Sequence, residues 1–124
     1  MCGISGFINL SRQSGSADLR KLVSQMSDTL QHRGPDDSGE WVDPTAGVAL
    51  GFRRLAILDL SPTGHQPMVS ANERYIIVFN GEVYNFADLR RELAALGCQF
   101  NGHSDTEVLL HAVSIWGFET AIKR

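Results

Sequence analysis

The second residue of the chain is a cysteine, Cys2. Once Met1 is removed, its thiol and a free α-amine share one residue. A free α-amine titrates near about 7.7–8.0 and a free thiol near about 8.5. Such an amine can take the thiol proton near neutral pH and later return one to a leaving group. One residue then supplies both nucleophile and general base, and needs no His or Asp partner. With Met1 in place the peptide bond removes the amine and the arrangement is lost. From its position alone, Cys2 is better read as a small hydrophobe opening a strand.

Four further segments carry residue types that can do chemistry. His32-Arg33-Gly34-Pro35-Asp36-Asp37-Ser38-Gly39 reads locally as a helix end and a turn. Arg53-Arg54-Leu55-Ala56-Ile57-Leu58-Asp59 places two guanidinium groups before an apolar run; these are strand-edge charges or, for one of them, a clamp for a carboxylate. Asn80-Gly81-Glu82-Val83-Tyr84-Asn85 contains the commonest tight-turn dipeptide, yet the Asn80 amide and the Gly81 N–H are also two donors at a strand end, able to stabilise an oxyanion. Ser104-Asp105-Thr106-Glu107 suits a helix N-terminus. The histidines His32, His65, His103 and His111 are scattered, with no i, i+4 pair on one helix, so solvated or core-satisfied rings are expected and no metal site. The other cysteine, Cys98, follows Gly97 and reads as a buried structural thiol; no C-x-x-C spacing exists.

These residues need elements to position them. Cys2 to Asn9 is short and apolar with two glycines, a buried strand with something close against it. Leu19, Leu22, Val23, Met26 and Leu30 share one helical face, with Ser16 as N-cap, Asp18 in the first turn and Gly34-Pro35 as the end. Val48, Leu50 and Phe52 alternate as a strand, and Ser61 to Gln66 is a loop. Tyr75 to Phe79 reads as a central buried strand. Asn85 caps a second helix with Phe86, Leu89, Leu93 and Leu96 inward and Gly97 at its C-terminus. Ser104 and Glu107 form a capping-box pattern for a third helix, whose apolar face is Val108, Ala112, Ile115 and Trp116 and which Gly117 stops. The order strand, helix, strands, helix, helix predicts an antiparallel or mixed sheet with helices layered on it, an α+β fold.

Composition narrows the partners. The chain has 124 residues, 43% hydrophobic and 20% charged, room for one ordered domain. A net charge of -3 and a pI near 5.7 give no electrostatic basis for nucleic acid or anionic membrane. No apolar run approaches the roughly 18–20 residues that span a bilayer, and no signal-peptide pattern is visible, so a cytoplasmic location is expected.

In this order, with Cys2 in front, the segments resemble the class II (N-terminal nucleophile) glutamine amidotransferases, from Cys2-Gly3-Ile4 to Ser104-Asp105. Within that class, His32-Arg33-Gly34-Pro35-Asp36 and Asn80-Gly81-Glu82-Val83-Tyr84-Asn85 look like the asparagine synthases; the phosphoribosylpyrophosphate and hexosamine-phosphate amidotransferases carry other residues after their Arg-Gly and Asn-Gly pairs. The resemblance implies a four-layer αββα N-terminal-nucleophile hydrolase fold. It implies that Cys2 attacks the carboxamide of L-glutamine, that Asn80 and the Gly81 N–H form the oxyanion hole, and that Arg54 binds the α-carboxylate. Leu55, Ala56, Ile57 and Leu58 would wall the pocket, mainly through backbone groups, and Glu82 and Asp105 would hold the α-amine end. A zwitterionic substrate suits this pairing of a fixed cation with fixed anions.

The family's glutaminase domain continues past residue 124 and is followed by an ATP-using synthetase domain. A glutaminase domain incomplete at its C-terminus is therefore expected, with strands still to come. No phosphate-binding glycine loop of the nucleotide-site kind is present, so ATP and Mg2+ are expected only in that synthetase domain, with no cofactor in this chain. The synthetase domain is the expected partner, and a homodimer is possible. Two other readings stay open: a related amidotransferase acting on a different acceptor, and a catalytically silent fragment. A small residue at position 2 favours removal of the initiator methionine, so the intact mass of the mature protein is expected to lack Met1; a mass that retains it would contradict the α-amine mechanism.

Overall fold

The computed structural model describes residues 2–56 and 62–124; Ile57 and Leu58, expected in the pocket wall, lie outside them. Helix and strand are mixed, as in an α+β fold. The chain divides into two compact units. One holds residues 2–56 with His65–Pro67 and Val78–Asn80; the other holds 62–64, Met68–Ile77 and Gly81–Arg124.

The first unit is built on an antiparallel sheet of β1 (Gly3–Ile8), β2 (Asp37–Asp43) and β3 (Val48–Arg54), in the order β1-β3-β2. Helix α1 (Ser16–Asp28) packs on one face. Its buried stripe is Leu19, Val23 and Ser27, against Phe7, Val42 and Ala49 of the sheet. Burying a side chain such as Leu19 or Val23 contributes about 1.5–3 kcal/mol. This stripe is narrower than the spacing predicts, since Leu22 is 50% and Met26 38% exposed. The reason is the approach of α1 over Gly51. A Cβ there would lie 2.2 Å from Ser27 Oγ and 3.0 Å from Val23 Cγ2, so the helix sits over the glycine and turns Leu22 and Met26 aside. Ser5 and Ser27 hydroxyls join across this contact at 2.7 Å.

Four expectations for this unit change. The N-cap of α1 is Gly15, not Ser16. The helix ends at Asp28 in successive turns through Gly34 rather than running to Gly34-Pro35. Asp37, Ser38 and Gly39, read as part of a turn, instead open β2, which takes its strand geometry from pairing with β3 from Asp37↔Arg54 to Asp43↔Val48. Strand β1 is half-exposed rather than buried, since Ile4, Gly6 and Ile8 alternate outward.

In the second unit β4 (Met68–Val69) and β5 (Ile76–Ile77) form a two-stranded antiparallel hairpin. The central buried strand predicted over Tyr75 to Phe79 is thus reduced to two half-buried ladder residues. Tyr75 instead closes the hairpin turn through Ser70, whose N–H donates to Tyr75 O and whose Oγ accepts from Tyr75 N, both at 2.9 Å.

The other elements of this unit are α2 (Phe86–Ala95), α3 (Asp105–Trp116) and a short α4 (Phe118–Ile122). Leu89, Leu93, Val108, Ala112, Val113 and Ala121 make the core, while Leu96 and Ile115 are exposed. Helix α2 ends as predicted at Gly97, with φ +92°. Gly97 N–H donates to Ala94 O and Cys98 N–H to Leu93 O, both at 3.0 Å, a Schellman closure that needs the left-handed residue. Ser104 caps α3 by accepting from Glu107 N at 3.2 Å. The Glu107 carboxylate turns to the preceding loop and accepts from Asn101 N at 2.6 Å and Gly102 N at 2.9 Å. No helix among the described residues is long and apolar enough to cross a membrane.

Candidate functional site

The β1/β3 register runs from Ile8↔Val48 to Gly3↔Arg53. One step further brings Cys2 to the level of Arg54 and the residue after it. There the half-buried Cys2 sulfur meets the backbone of Leu55: Leu55 N–H donates to Sγ at 3.3 Å, and the thiol faces Leu55 O at 3.7 Å. The backbone N–H thus fixes the sulfur beside the end of β3.

Neighbouring residues on a strand point to opposite faces, which separates the two arginines. Arg53 lies on the α1 face, where its Nε donates to Ser27 O at 3.2 Å and its guanidinium pairs with Asp28. It therefore ties the sheet to the C-terminal end of α1, where a cation is electrostatically favoured. Arg54 takes the other face, with Phe52, and is 9% exposed. Of the two guanidinium groups, Arg54 is the one on the Cys2 side of the sheet.

The end of β3 is braced by the segment read from sequence as a turn. Gly34 lies flat on the Arg53–Arg54 peptide: a Cβ would fall 2.4 Å from Arg53 C and 2.6 Å from Arg54 N. Asp36 N–H donates to Arg54 O at 3.0 Å, and Asp36 Oδ2 accepts from Ala56 N at 2.9 Å. The peptides on both sides of Leu55 are therefore held. Ala56, expected to offer backbone groups to a pocket, has its N–H engaged by Asp36. The role of Asp36 was missed because Gly-Pro-Asp reads locally as a turn; only the pairing of residues 37–43 with β3 brings it here.

Asn80, also in the first unit, donates through Nδ2 to Cys2 O at 3.0 Å. Its side chain thus bonds the backbone of the very residue that carries the thiol. Cys2, Arg54, Leu55 and Asn80 come together in this unit. Gly81, Glu82 and Asp105 belong to the second unit. Gly81 and Glu82 are exposed, and Asp105, at the first turn of α3, is 8% exposed with Oδ2 accepting from Val83 N at 2.9 Å.

The remaining candidates take structural places. His65 Nδ1 lies 2.8 Å from Asp37 Oδ2, and His111 stacks edge-on against Phe100 with ring centroids 4.8 Å apart. Cys98 is half-buried against the core of the second unit. Among the described residues no group of three or more His, Cys, Asp or Glu side chains could hold a metal ion.

Residues 1–124 match the family model described as a glutamine amidotransferase domain. The chain is 45% identical over 123 residues to asparagine synthetase 1 (glutamine-hydrolyzing) of Bacillus subtilis (strain 168), covering 99% of this chain and 19% of that protein. It is 44% identical over 118 residues to asparagine synthetase 3 (glutamine-hydrolyzing) of the same organism, covering 94% and 18%. It is 36% identical over 124 residues to amidase chry2 of Gibberella zeae, covering 94% and 18%. The chain therefore spans about a fifth of the length of these relatives.

The contact of Gly34 with the Arg53–Arg54 peptide gives a direct test. Gly34→Ala forces backbone against backbone, and a loss of about 1–3 kcal/mol is expected, read as a lower urea midpoint. Gly15→Ala, where a Cβ meets nothing within 4 Å, is expected to lose less, about 0.5–1 kcal/mol, and only because alanine is a poorer helix N-cap than glycine.

Proposed function

The chain belongs to the glutamine amidotransferase domain family, and we propose that it hydrolyses glutamine to glutamate and ammonia, with Cys2 as the nucleophile at a processed N-terminus. The observation that carries this reading is the double hold on Cys2: its sulfur against the Leu55 peptide and its carbonyl against the Asn80 amide. Neither contact serves a strand ladder or a core. The first puts a donor on the sulfur and the second puts a donor on the carbonyl of the same residue.

In the proposed reaction the Cys2 α-amine takes the thiol proton, and the sulfur attacks the carboxamide carbon of glutamine. Charge develops on the carboxamide oxygen. Asn80 has two N–H donors on its side-chain nitrogen; one is fixed on Cys2 O, and the other is assigned to that oxygen with the Gly81 N–H. Removing one donor of this kind typically costs about 10²–10³ in rate. Collapse of the tetrahedral adduct breaks the C–N bond, the ammonium of Cys2 returns its proton, and ammonia leaves a γ-glutamyl thioester. Water attacks the thioester with the same amine as base, which yields glutamate and the free thiol. Arg54 is assigned the substrate α-carboxylate; its burial favours a strong charge-assisted pair. Glu82 and Asp105 are assigned the α-amine, and Leu55, Ala56, Ile57 and Leu58 the pocket wall.

For the full-length protein we propose delivery of the ammonia to a synthetase region that uses ATP and Mg2+ to amidate aspartate, in the cytoplasm, on the strength of two relatives named as asparagine synthetases. The αββα sandwich is part of the same proposal, with β1, β2 and β3 in one of its two sheets and the glutaminase domain extending beyond these residues. Dimerisation remains within it as an assembly to be measured. A second reading, a different ammonia acceptor, is favoured by one observation: a relative of similar coverage is named an amidase rather than a synthetase.

Glutamate release from glutamine tests the proposal. Cys2→Ala is expected to abolish it with the circular dichroism spectrum unchanged, and Arg54→Lys to raise KM for glutamine roughly ten- to hundredfold, the worth of a charge-assisted hydrogen bond of about 1.5–3 kcal/mol. Hydrolysis that survives in Cys2→Ala would exclude the thioester route.

A further inference from the structure

Gln66 sits in a segment whose sequence suggests only a loop, yet its side chain is buried, at 5% exposure. The amide makes a two-point bond to the backbone of Phe79. Phe79 N–H donates to Oε1 at 2.6 Å, and Nε2 donates to Phe79 O at 3.3 Å. This is the pairing that a neighbouring strand would supply. Phe79 lies beyond Ile76–Ile77, where the β4/β5 ladder has already stopped. A side chain here takes over from a backbone.

Gln66 is itself fixed by β2. Its carbonyl oxygen lies where a Cβ on Gly39 would come within 2.0 Å, so only glycine admits it. The adjacent His65 is held by Asp37, the first residue of the same strand. On the other side, Phe79 is followed directly by Asn80, which donates to Cys2 O at 3.0 Å. A continuous line of contacts therefore runs from β2 through Gln66 and the Phe79 peptide to Asn80 and Cys2.

We propose that Gln66 is a positioning residue for Asn80: its buried amide clamps the Phe79 peptide and so fixes the point from which the oxyanion donor projects. The inference rests on the proposed hydrolysis of glutamine. The bonds that join Gln66 to this segment run to the Phe79 backbone, one residue before Asn80, so it acts on Asn80 through placement. Placement matters because a donor contributes fully only near 2.7–3.1 Å from the developing oxyanion, and a misplacement of about 1 Å can cost roughly 10²-fold in rate. An unbranched apolar side chain would fill the same space but could not match the Phe79 N–H and C=O. A polar side chain in so buried a position is explained by those two groups.

The test is Gln66→Met in the full-length protein, which keeps the length of the side chain and removes both bonds. The readouts are kcat and KM for glutamine, the rate of Cys2 alkylation by iodoacetamide, and the thermal unfolding midpoint. Alkylation by iodoacetamide displaces iodide at a saturated carbon and builds no oxyanion, so it reports the thiol without Asn80. The expected result is a fall in kcat of roughly 10²-fold, with KM and the alkylation rate at Cys2 close to those of the parent. An unchanged kcat would overturn the inference. So would parallel losses in kcat, alkylation rate and unfolding midpoint, because Gln66 would then be supporting the fold as a whole. Absence of glutamine hydrolysis in the parent protein would instead overturn the proposed activity, and this inference with it.

Discussion

At the end of β3 one residue, Leu55, faces the Cys2 sulfur with its backbone N–H and C=O, from the peptides on either side of it. Most of the first unit can be understood as what keeps that residue in place. The β1/β3 ladder delivers Cys2 to the correct level. Gly34 and Asp36 hold the chain on either side of Leu55. Arg53 ties the strand to α1, which leaves the opposite face to Arg54. Cys2 lies one residue before β1, outside the strand that follows it. Its position has to be imposed by neighbours, and these are backbone groups whose geometry is set by a sheet.

Close approach recurs as the means. Gly34, Gly39 and Gly51 each leave room for another segment at a distance that no Cβ permits: the Arg53–Arg54 peptide, the Gln66 carbonyl and the Ser27 hydroxyl respectively. Two of these lead to the site, through Leu55 and through Asn80. The third seats α1 on the sheet. Interiors are packed densely enough that such contacts transmit position with little slack, which is how residues far apart in sequence can set hydrogen-bond distances around one sulfur.

The sequence made several parts of this legible. Periodicity located α1, β3, α2 and α3, and the Ser104 cap and Gly97 terminus followed from local chemistry. The resemblance carried by Cys2 and by the Arg-Gly-Pro-Asp and Asn-Gly segments led to the same family that the comparison over residues 1–124 shows. What escaped was non-local. Asp37–Asp43 contains little of the composition that favours a strand, and its geometry comes from pairing with β3. Tyr75 to Phe79 has that composition in full, yet only two of its residues join a ladder, because Ser70 and Gln66 bond the residues at its ends. Nothing in the alternation of apolar residues marks Gln66 as buried, or separates Arg53 from Arg54 before the register is known.

The measurement that tests the account most directly is the intact mass of the mature protein after treatment with an electrophilic ketone analogue of glutamine, with and without competing glutamine or asparagine. The account predicts a single adduct on Cys2 and none on Cys98, suppressed by glutamine and unaffected by asparagine, and no adduct on protein that retains Met1. Labelling of Cys98, labelling that glutamine does not suppress, or equal labelling with Met1 in place would contradict it.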